Sequence, residues 1–107
     1  MFMARVIGHV WSTVKWDSLE GLRFLVVRPY HLDELERVAG RQAGAAETRT
    51  DAVVVADVLG AGPGEDVLVA YGHAARAGLE ELEPGASTKH PVDAAVVAIV
   101  EGFAIDR

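Results

Sequence analysis

The histidines are the side chains in this sequence that could bind a transition metal, and their spacing does not favour a metal site. His9, His31, His73 and His90 lie far apart, and none has a partner at a ligand spacing such as H-x-x-x-H. The chain contains no cysteine, which excludes thiolate ligands, disulfides and thiol nucleophiles. We therefore predict no metal site and interpret each histidine as a surface or interface residue.

Two carboxylates lie within or beside apolar segments, where a buried acid could take part in proton transfer. These are Asp57 and Asp93. They could equally pair with Arg5, Arg28 or Arg76, or cap a turn. We favour the structural interpretation, because nothing in the sequence resembles a carboxylate pair with assignable roles.

The hydroxyl side chains do not predict a nucleophile either. Ser12-Thr13 and Ser87-Thr88 have no nucleophile-elbow context, and the sequence shows no triad. We therefore predict no catalytic residue and expect that the protein is not an enzyme.

The glycine-rich segment Gly60-Ala61-Gly62-Pro63-Gly64-Glu65 is the most conspicuous motif, and it does not fit a nucleotide site. A dinucleotide fingerprint requires G-x-G-x-x-G followed by a helix, whereas Gly64 comes one position early and a strand follows. A P-loop would place Lys after the last glycine, where this chain has Glu65. We predict a tight turn and no bound cofactor, and we expect that Gly62 cannot accept a branched side chain.

The aromatic side chains raise the possibility of a nucleic-acid site, since single strands stack on exposed aromatics within a basic groove. The net charge is −6, and the ten Lys and Arg residues are scattered singly along the chain. We therefore expect no nucleic-acid partner. Trp11, on an otherwise polar strand face, is better explained as an anchor in a protein interface.

Length and hydropathy bound the class of protein. The 107 residues fit a single domain over residues 1–107, half of them are apolar, and the mean hydropathy is +0.20. No apolar run reaches the roughly 18 residues of a membrane span. The amino terminus does not have the apolar core of a signal peptide, so we expect a cytoplasmic protein without a membrane partner.

Five segments have the composition and alternation of β-strands. The strands are predicted at Ala4 to Lys15, Leu22 to Arg28, Ala52 to Leu59, Asp66 to Tyr71 and Ala94 to Val100. In the first, the even positions from Ala4 to Val14 are mostly small and apolar and should face the core. The connection Gly60 to Glu65 is too short for a crossover helix, which predicts an antiparallel pair.

The predicted fold is mainly β: a small, partly open, five-stranded antiparallel barrel of the OB type with one or two short helical segments. One helical segment is indicated by Leu32, Leu35 and Val38, before a polar loop that reaches Thr50. The other is a turn or two within Ala74 to Leu82, which Pro84 and Gly85 would stop.

Strands three and five are apolar on both faces, which favours assembly. An antiparallel strand with one solvated face should alternate, whereas here Val55 follows Val54 and Val97 follows Val96. The predicted helices are too short to cover the second face, so neighbouring subunits could cover it. Alternatively, both faces could be buried inside a barrel and under the two loops.

Five segments, in order, resemble the EutN/CcmL family, the pentameric vertex proteins of carboxysomes and metabolic microcompartments. They are ARVIGHVWSTVK (4–15), LEGLRFLVVRP (19–29), VADVLGAGPGE (55–65), YGHAAR (71–76) and PVDAAVVAIV (91–100). The family usually has a small residue where this chain has His73, and the segment from Tyr30 to Thr50 is longer and more charged than usual.

The resemblance implies a homopentamer that closes the fivefold corners of a polyhedral shell, with no catalysis and with hexameric and pseudohexameric shell proteins as partners. It also implies that Gly60, Ala61, Gly62, Gly64 and Glu65 lie near a narrow axial opening. The candidate subunit-interface residues are Ile7, Trp11, Lys15, Asp57, Arg76 and Asp93. The alternative function is an OB-type binding module for nucleic acid or a small ligand.

Overall fold

The structure, a computed structural model, describes residues 1–31, 33, 51–82 and 92–105. The elements are β1 (Phe2–Val10), a 3₁₀ turn (Asp17–Leu19), β2 (Arg23–Pro29), β3 (Val53–Asp57), β4 (Asp66–Tyr71), α1 (His73–Leu82) and β5 (Ala94–Val100). The helical segment predicted around Leu35 and Val38 lies outside the described residues. No helix in the described ranges is both long and apolar enough to span a bilayer.

The five strands form a closed barrel in the order β1-β2-β3-β5-β4. This confirms the predicted small five-stranded barrel, which proves to be closed and not partly open. Four of the five strand pairs are antiparallel, whereas β3 and β5 run parallel and pair through Ala56 and Ala95. The predicted antiparallel arrangement holds for these four pairs, and the β3–β5 pair departs from it because strand directions cannot alternate around a closed ring with an odd number of strands.

Strand β1 shows the predicted alternation as far as Val6 and ends earlier than predicted; Val10 and Val14, which were expected to face the core, are exposed. Ala4 and Val6 are buried, while Ile7 is exposed at a bulge where the register with β2 shifts. The strand ends at Val10, which pairs with Phe24 near the start of β2. Residues 11–15 therefore lie in a loop, because β2 extends only one residue, Arg23, beyond the last pair.

The remaining strands lie close to their predicted ranges. Strands β4 and β5 have the predicted bounds, and β2 begins and ends one residue later than predicted. Strand β3 ends at Asp57 and not at Leu59. The Asp57 side chain accepts the N–H groups that follow it, so a local turn replaces the sheet ladder at this point.

The hydrophobic core has two parts. The interior of the barrel is filled by small aliphatic side chains, namely Ala4, Val6, Leu25, Val27, Val55, Ala61, Val67, Val69, Ala94 and Val96. A second cluster lies outside the barrel wall, where Ala75 and Leu79 of α1 pack on Ala56, Ala95 and Val92. Helix α1 therefore covers part of the second apolar face of β3 and β5, contrary to the expectation that the helices are too short to do so.

Helix α1 begins directly after β4 and is ten residues long, so it is longer than the turn or two predicted. Gly72, with φ +66°, forms the bend between the two elements. Its N–H donates to the Asp93 carbonyl at 2.6 Å, which ties the start of the helix to the segment that leads into β5. The helix is thereby held against the barrel wall.

Candidate assembly surface

The loop between β3 and β4 is organised by one buried carboxylate. Asp57 Oδ1 accepts the N–H of Leu59 at 3.0 Å, and Oδ2 accepts the N–H groups of Gly60 at 3.1 Å and Ala61 at 3.0 Å. Oδ2 also accepts a hydrogen bond from Arg23 Nη1 at 3.1 Å. These donors compensate the loss of hydration of a side chain that is fully buried.

Asp57 therefore has a role within its own chain. Turn capping is one of the two structural roles predicted for it, and the structure shows that role. Its cationic partner is Arg23 and none of Arg5, Arg28 and Arg76, because β2 pairs with β3 so that Arg23 lies opposite Asp57. The side chain is buried with these partners within its own chain, and its place among the candidate interface residues stays a prediction.

The rest of the glycine loop is tied to itself and to β1. Gly62 donates its N–H to Glu65 Oε1 at 2.8 Å, and Glu65 donates its N–H to the Gly62 carbonyl at 3.1 Å. Gly64 donates to the carbonyl of Val6, and Val6 donates to the carbonyl of Glu65, at 2.8 and 2.9 Å. The loop is therefore a fixed structural feature joined to the β1 bulge.

Positive backbone angles occur at the two outer glycines of this loop. Gly60 and Gly64 both have φ of +88°, a conformation that L side chains rarely adopt. Gly62 has no positive φ, and a Cβ there would lie 3.5 Å from Glu65 Oε1, an ordinary contact. The turn itself therefore does not require glycine at position 62, contrary to expectation; crowding at a symmetry axis stays a prediction.

A second feature is a strongly exposed loop after β1, residues 11–16, which we call the aromatic loop. Trp11, Val14 and Trp16 are exposed to 84%, 91% and 72%. Lys15 stabilises the loop conformation through contacts within the chain. Its Nζ donates to the Ser12 carbonyl at 2.7 Å and lies 3.5 Å from Glu20 Oε2. Lys15 thus shapes the loop, while the apolar side chains face outward.

A third feature is an open groove of about 240 Å³ on the outer surface, which we call the outer groove. It is lined by Leu19, Phe24, Val54, Ala56, Val92, Asp93 and Ala94. Val54 is 51% exposed, so α1 leaves this part of β3 uncovered. The volume is below the roughly 300–1,000 Å³ of small-molecule pockets, which makes the groove better suited to one protruding side chain.

The structure divides the other candidate interface residues between these features. Ile7, Trp11 and Lys15 lie on β1 and the aromatic loop. Asp93 lines the outer groove, and Arg76 lies beside it, with Nη1 donating to the Val92 carbonyl at 3.5 Å. In the part of the chain that the structure describes, no group of three or more acidic or histidine side chains is placed to hold a metal ion.

One polar contact across the barrel was not predicted from the sequence. Tyr30 donates its hydroxyl proton to Asp66 Oδ1 at 2.7 Å and so joins the end of β2 to the start of β4 across the intervening β1. Burial and then the Asp66 hydrogen bond raise the pKa of Tyr30, so the phenol stays a neutral donor at physiological pH. The pair is 36 residues apart, and only the strand order brings it together.

A closed β-barrel that leaves large apolar side chains exposed is typical of a small protein that buries them in an assembly. A sequence model of the family described as "Ethanolamine utilisation protein EutN/carboxysome" matches residues 1–101. The chain belongs to the EutN/CcmL family.

Individual relatives agree with this assignment. The chain is 40% identical to the carboxysome shell vertex protein CcmL of Thermosynechococcus vestitus, over 100% of this chain and 90% of that protein. It is 38% identical to the microcompartment shell vertex protein PduN of Salmonella typhimurium, over 94% of this chain and 96% of that protein. The pentameric shell protein GrpN from Rhodospirillum rubrum superposes with a TM-score of 0.68 at 32% identity, over 99% of this chain and 100% of that one.

Proposed function

We propose that this protein forms a homopentamer that caps the vertices of a bacterial microcompartment shell in the cytoplasm. The observation that carries the proposal is the family match over residues 1–101. Relatives of this family are named as shell vertex proteins, and one solved relative is described as pentameric. The function is structural and not enzymatic.

A ring explains how so small a barrel performs this function. A heterologous interface that repeats with a closing rotation generates a ring. Five subunits at a corner supply the curvature that a flat sheet of hexamers lacks. The repeated contact has to bury the apolar surface that a single chain exposes, and this chain exposes Ile7, Trp11 and Val54.

The candidate interface residues fit two faces of such a contact. Ile7, Trp11 and Lys15 belong to the face formed by β1 and the aromatic loop, with Lys15 acting through the shape of that loop. Arg76 and Asp93 belong to the face beside the outer groove. The glycine loop, residues 60–65, lies at the axial opening by family resemblance, and its fixed hydrogen bonds suit a position where five copies meet.

Hexameric and pseudohexameric shell proteins are the partners that we propose around the ring. The alternative function, an OB-type binding module, is not supported by the relatives, which are named for the shell. We expect no binding of single-stranded nucleic acid, because the net charge of −6 disfavours phosphate contacts. A gel-shift measurement at low salt with a mixed-sequence oligonucleotide checks that expectation.

Light scattering coupled to size-exclusion chromatography tests the proposed function. We expect the mass of five 11.4 kDa chains. Co-expression with a hexameric shell protein should then give closed particles that retain this protein in sucrose gradients, and open or leaky particles without it. A clean monomer at tens of micromolar, or particles that close equally well without the protein, would contradict the vertex function.

A further inference from the structure

We propose that the aromatic loop of one subunit docks into the outer groove of the next, and that this contact is the repeating contact of the ring. The inference rests on the proposed homopentamer and identifies which two surfaces meet. The groove of each subunit is occupied by residues 11–16 of a second copy of this chain.

The aromatic loop is a surface that an isolated chain leaves without cover. Trp11, Val14 and Trp16 are all more than two-thirds exposed. Two tryptophans bury roughly 300–500 Å² when covered, about half of the roughly 800 Å² that each partner contributes to a standard interface. A protein interface is the usual place for such anchors.

The outer groove has the size and lining to receive one of these side chains. Phe24, Ala56 and Ala94 are among its lining residues, and Val54, which also lines it, is exposed. The volume of about 240 Å³ is small for a substrate or cofactor. The chain's own loop does not fill the groove, because Trp11 and Trp16 remain exposed.

The proposed contact is chiefly apolar. Lys15, the one Lys or Arg among residues 9–16, already has partners within its own chain in the Ser12 carbonyl and Glu20. Of the described residues that line the outer groove, Asp93 is the charged one, and it is exposed. The contact therefore joins the exposed apolar side chains of the loop and the groove, and its occupant is a second copy of this chain because a solved relative is pentameric.

The contact is also of the kind that a ring requires. The loop and the groove are different patches of one chain, so each subunit can give its loop to one neighbour and receive the loop of the other. An isologous contact, in which both chains use the same patch, would stop at a dimer. The structure holds the loop ready for docking through the Lys15 hydrogen bond to Ser12 and the Leu19 N–H bond to the Trp16 carbonyl at 2.9 Å.

Mixing two disabled variants tests the proposal. A loop variant, Trp11→Asp with Trp16→Asp, keeps the groove; a groove variant, Val54→Asp, keeps the loop. We expect each to be monomeric alone, and the equimolar mixture to form a dimer of one chain of each in sedimentation velocity. That dimer cannot grow, since one loop and one groove are disabled. Pentamers from either variant alone would overturn the proposal.

Cross-linking tests the same contact without disabling it. The chain has no cysteine, so Thr13→Cys with Val54→Cys places one thiol in the loop and one in the groove. A short bis-maleimide should link the wild-type-like pentamer into a ladder of up to five chains. The matched control, Thr13→Cys with Ala77→Cys, has its second thiol on the exposed side of α1 and should give at most a trace of dimer.

The two tests separate this inference from the proposed function. If unmodified protein is monomeric, the vertex function fails. If it is pentameric but the loop and groove thiols link no better than the control pair, the ring stands and this contact is wrong. Equal dimer formation by Thr13→Cys alone would indicate an isologous contact and would also overturn the proposal.

Discussion

Asp57 shows how a single buried charge determines the geometry of a functional loop. Its carboxylate accepts three backbone N–H groups and one guanidinium hydrogen bond, so two oxygen atoms satisfy four donors. The Arg23 side chain is 44% exposed, so solvent weakens its ion pair with Asp57. The backbone N–H groups therefore account for most of the stability that the Asp57 carboxylate provides. The loop conformation therefore depends on a residue that is buried within its own chain.

We predict that Asp57→Asn lowers the free energy of unfolding by about 2–3 kcal/mol, because the amide NH₂ would face buried donors and leave at least one unsatisfied. Arg23→Gln is the matched control and should cost about 1 kcal/mol or less, since its partner keeps the backbone hydrogen bonds. Urea unfolding at one protein concentration measures both. Equal losses for the two variants would show that the ion pair dominates.

At the scale of the element, the glycine loop contains two glycines whose backbone conformation requires glycine and one whose conformation does not. Gly60 and Gly64 adopt positive φ, whereas Gly62 has ordinary φ and room for a Cβ. The sequence presents all three in a regular pattern, so the pattern alone cannot rank them.

We predict that Gly64→Ala destabilises the protein by about 1–2 kcal/mol, the cost of a left-handed L-residue. Gly62→Ala should change stability by less than about 0.5 kcal/mol in the chain itself. Thermal melts of both variants at matched concentration give the comparison. If Gly62→Ala is neutral in the monomer but blocks the pentamer, position 62 is constrained by the axis. Equal destabilisation of folded chains by both variants would contradict the assignment from φ.

The outer faces of β3 and β5 are a second feature at the element scale. Their apolar character on both faces suggested that neighbouring subunits cover the second face. The structure shows that α1 covers Ala56 and Ala95 through Ala75 and Leu79, while Val54 stays exposed. A ten-residue helix covers only part of a barrel wall, so coverage of Val54 by a neighbouring subunit stays a prediction.

At the scale of the whole molecule, folding and assembly should be linked. The main barrel cluster is built largely from Ala and Val, and each of these side chains buries little area. Small domains bury a smaller fraction of their surface on folding than large domains do, so a subunit interface adds stability where the core is limited.

We predict that the melting temperature of the wild-type protein rises with protein concentration, since association stabilises the folded chain by mass action. Ile7→Asp with Trp11→Asp should be monomeric and should melt at a temperature independent of concentration. The control Ala77→Asp adds a charge on exposed α1 and should keep the concentration dependence of the wild type. Calorimetry across a hundredfold range of concentration decides this, and an unchanged pentamer in the double variant would contradict the Ile7 and Trp11 assignment.

Much of the fold could be predicted because the local physics is clear in the sequence. Alternation located the core side of β1 at Ala4 and Val6, the short glycine connection placed the start of β4, and a Val-, Ala- and Ile-rich composition gave the range of β5. The family followed from five segments in order, which a single motif could not have shown. That residues 1–107 form a single domain stays a prediction.

The sequence by itself determined the class of this protein: strand periodicity, glycine turns and the absence of a cysteine are local properties that any fold of the chain must respect. Only the tertiary structure decided which groups meet across the barrel. The pairing of Asp57 with Arg23, the Tyr30 and Asp66 hydrogen bond, and the parallel contact of Ala56 with Ala95 all join residues more than thirty positions apart. Such contacts depend on strand order and register, and the period-two pattern of one strand carries no information about which other strand lies beside it.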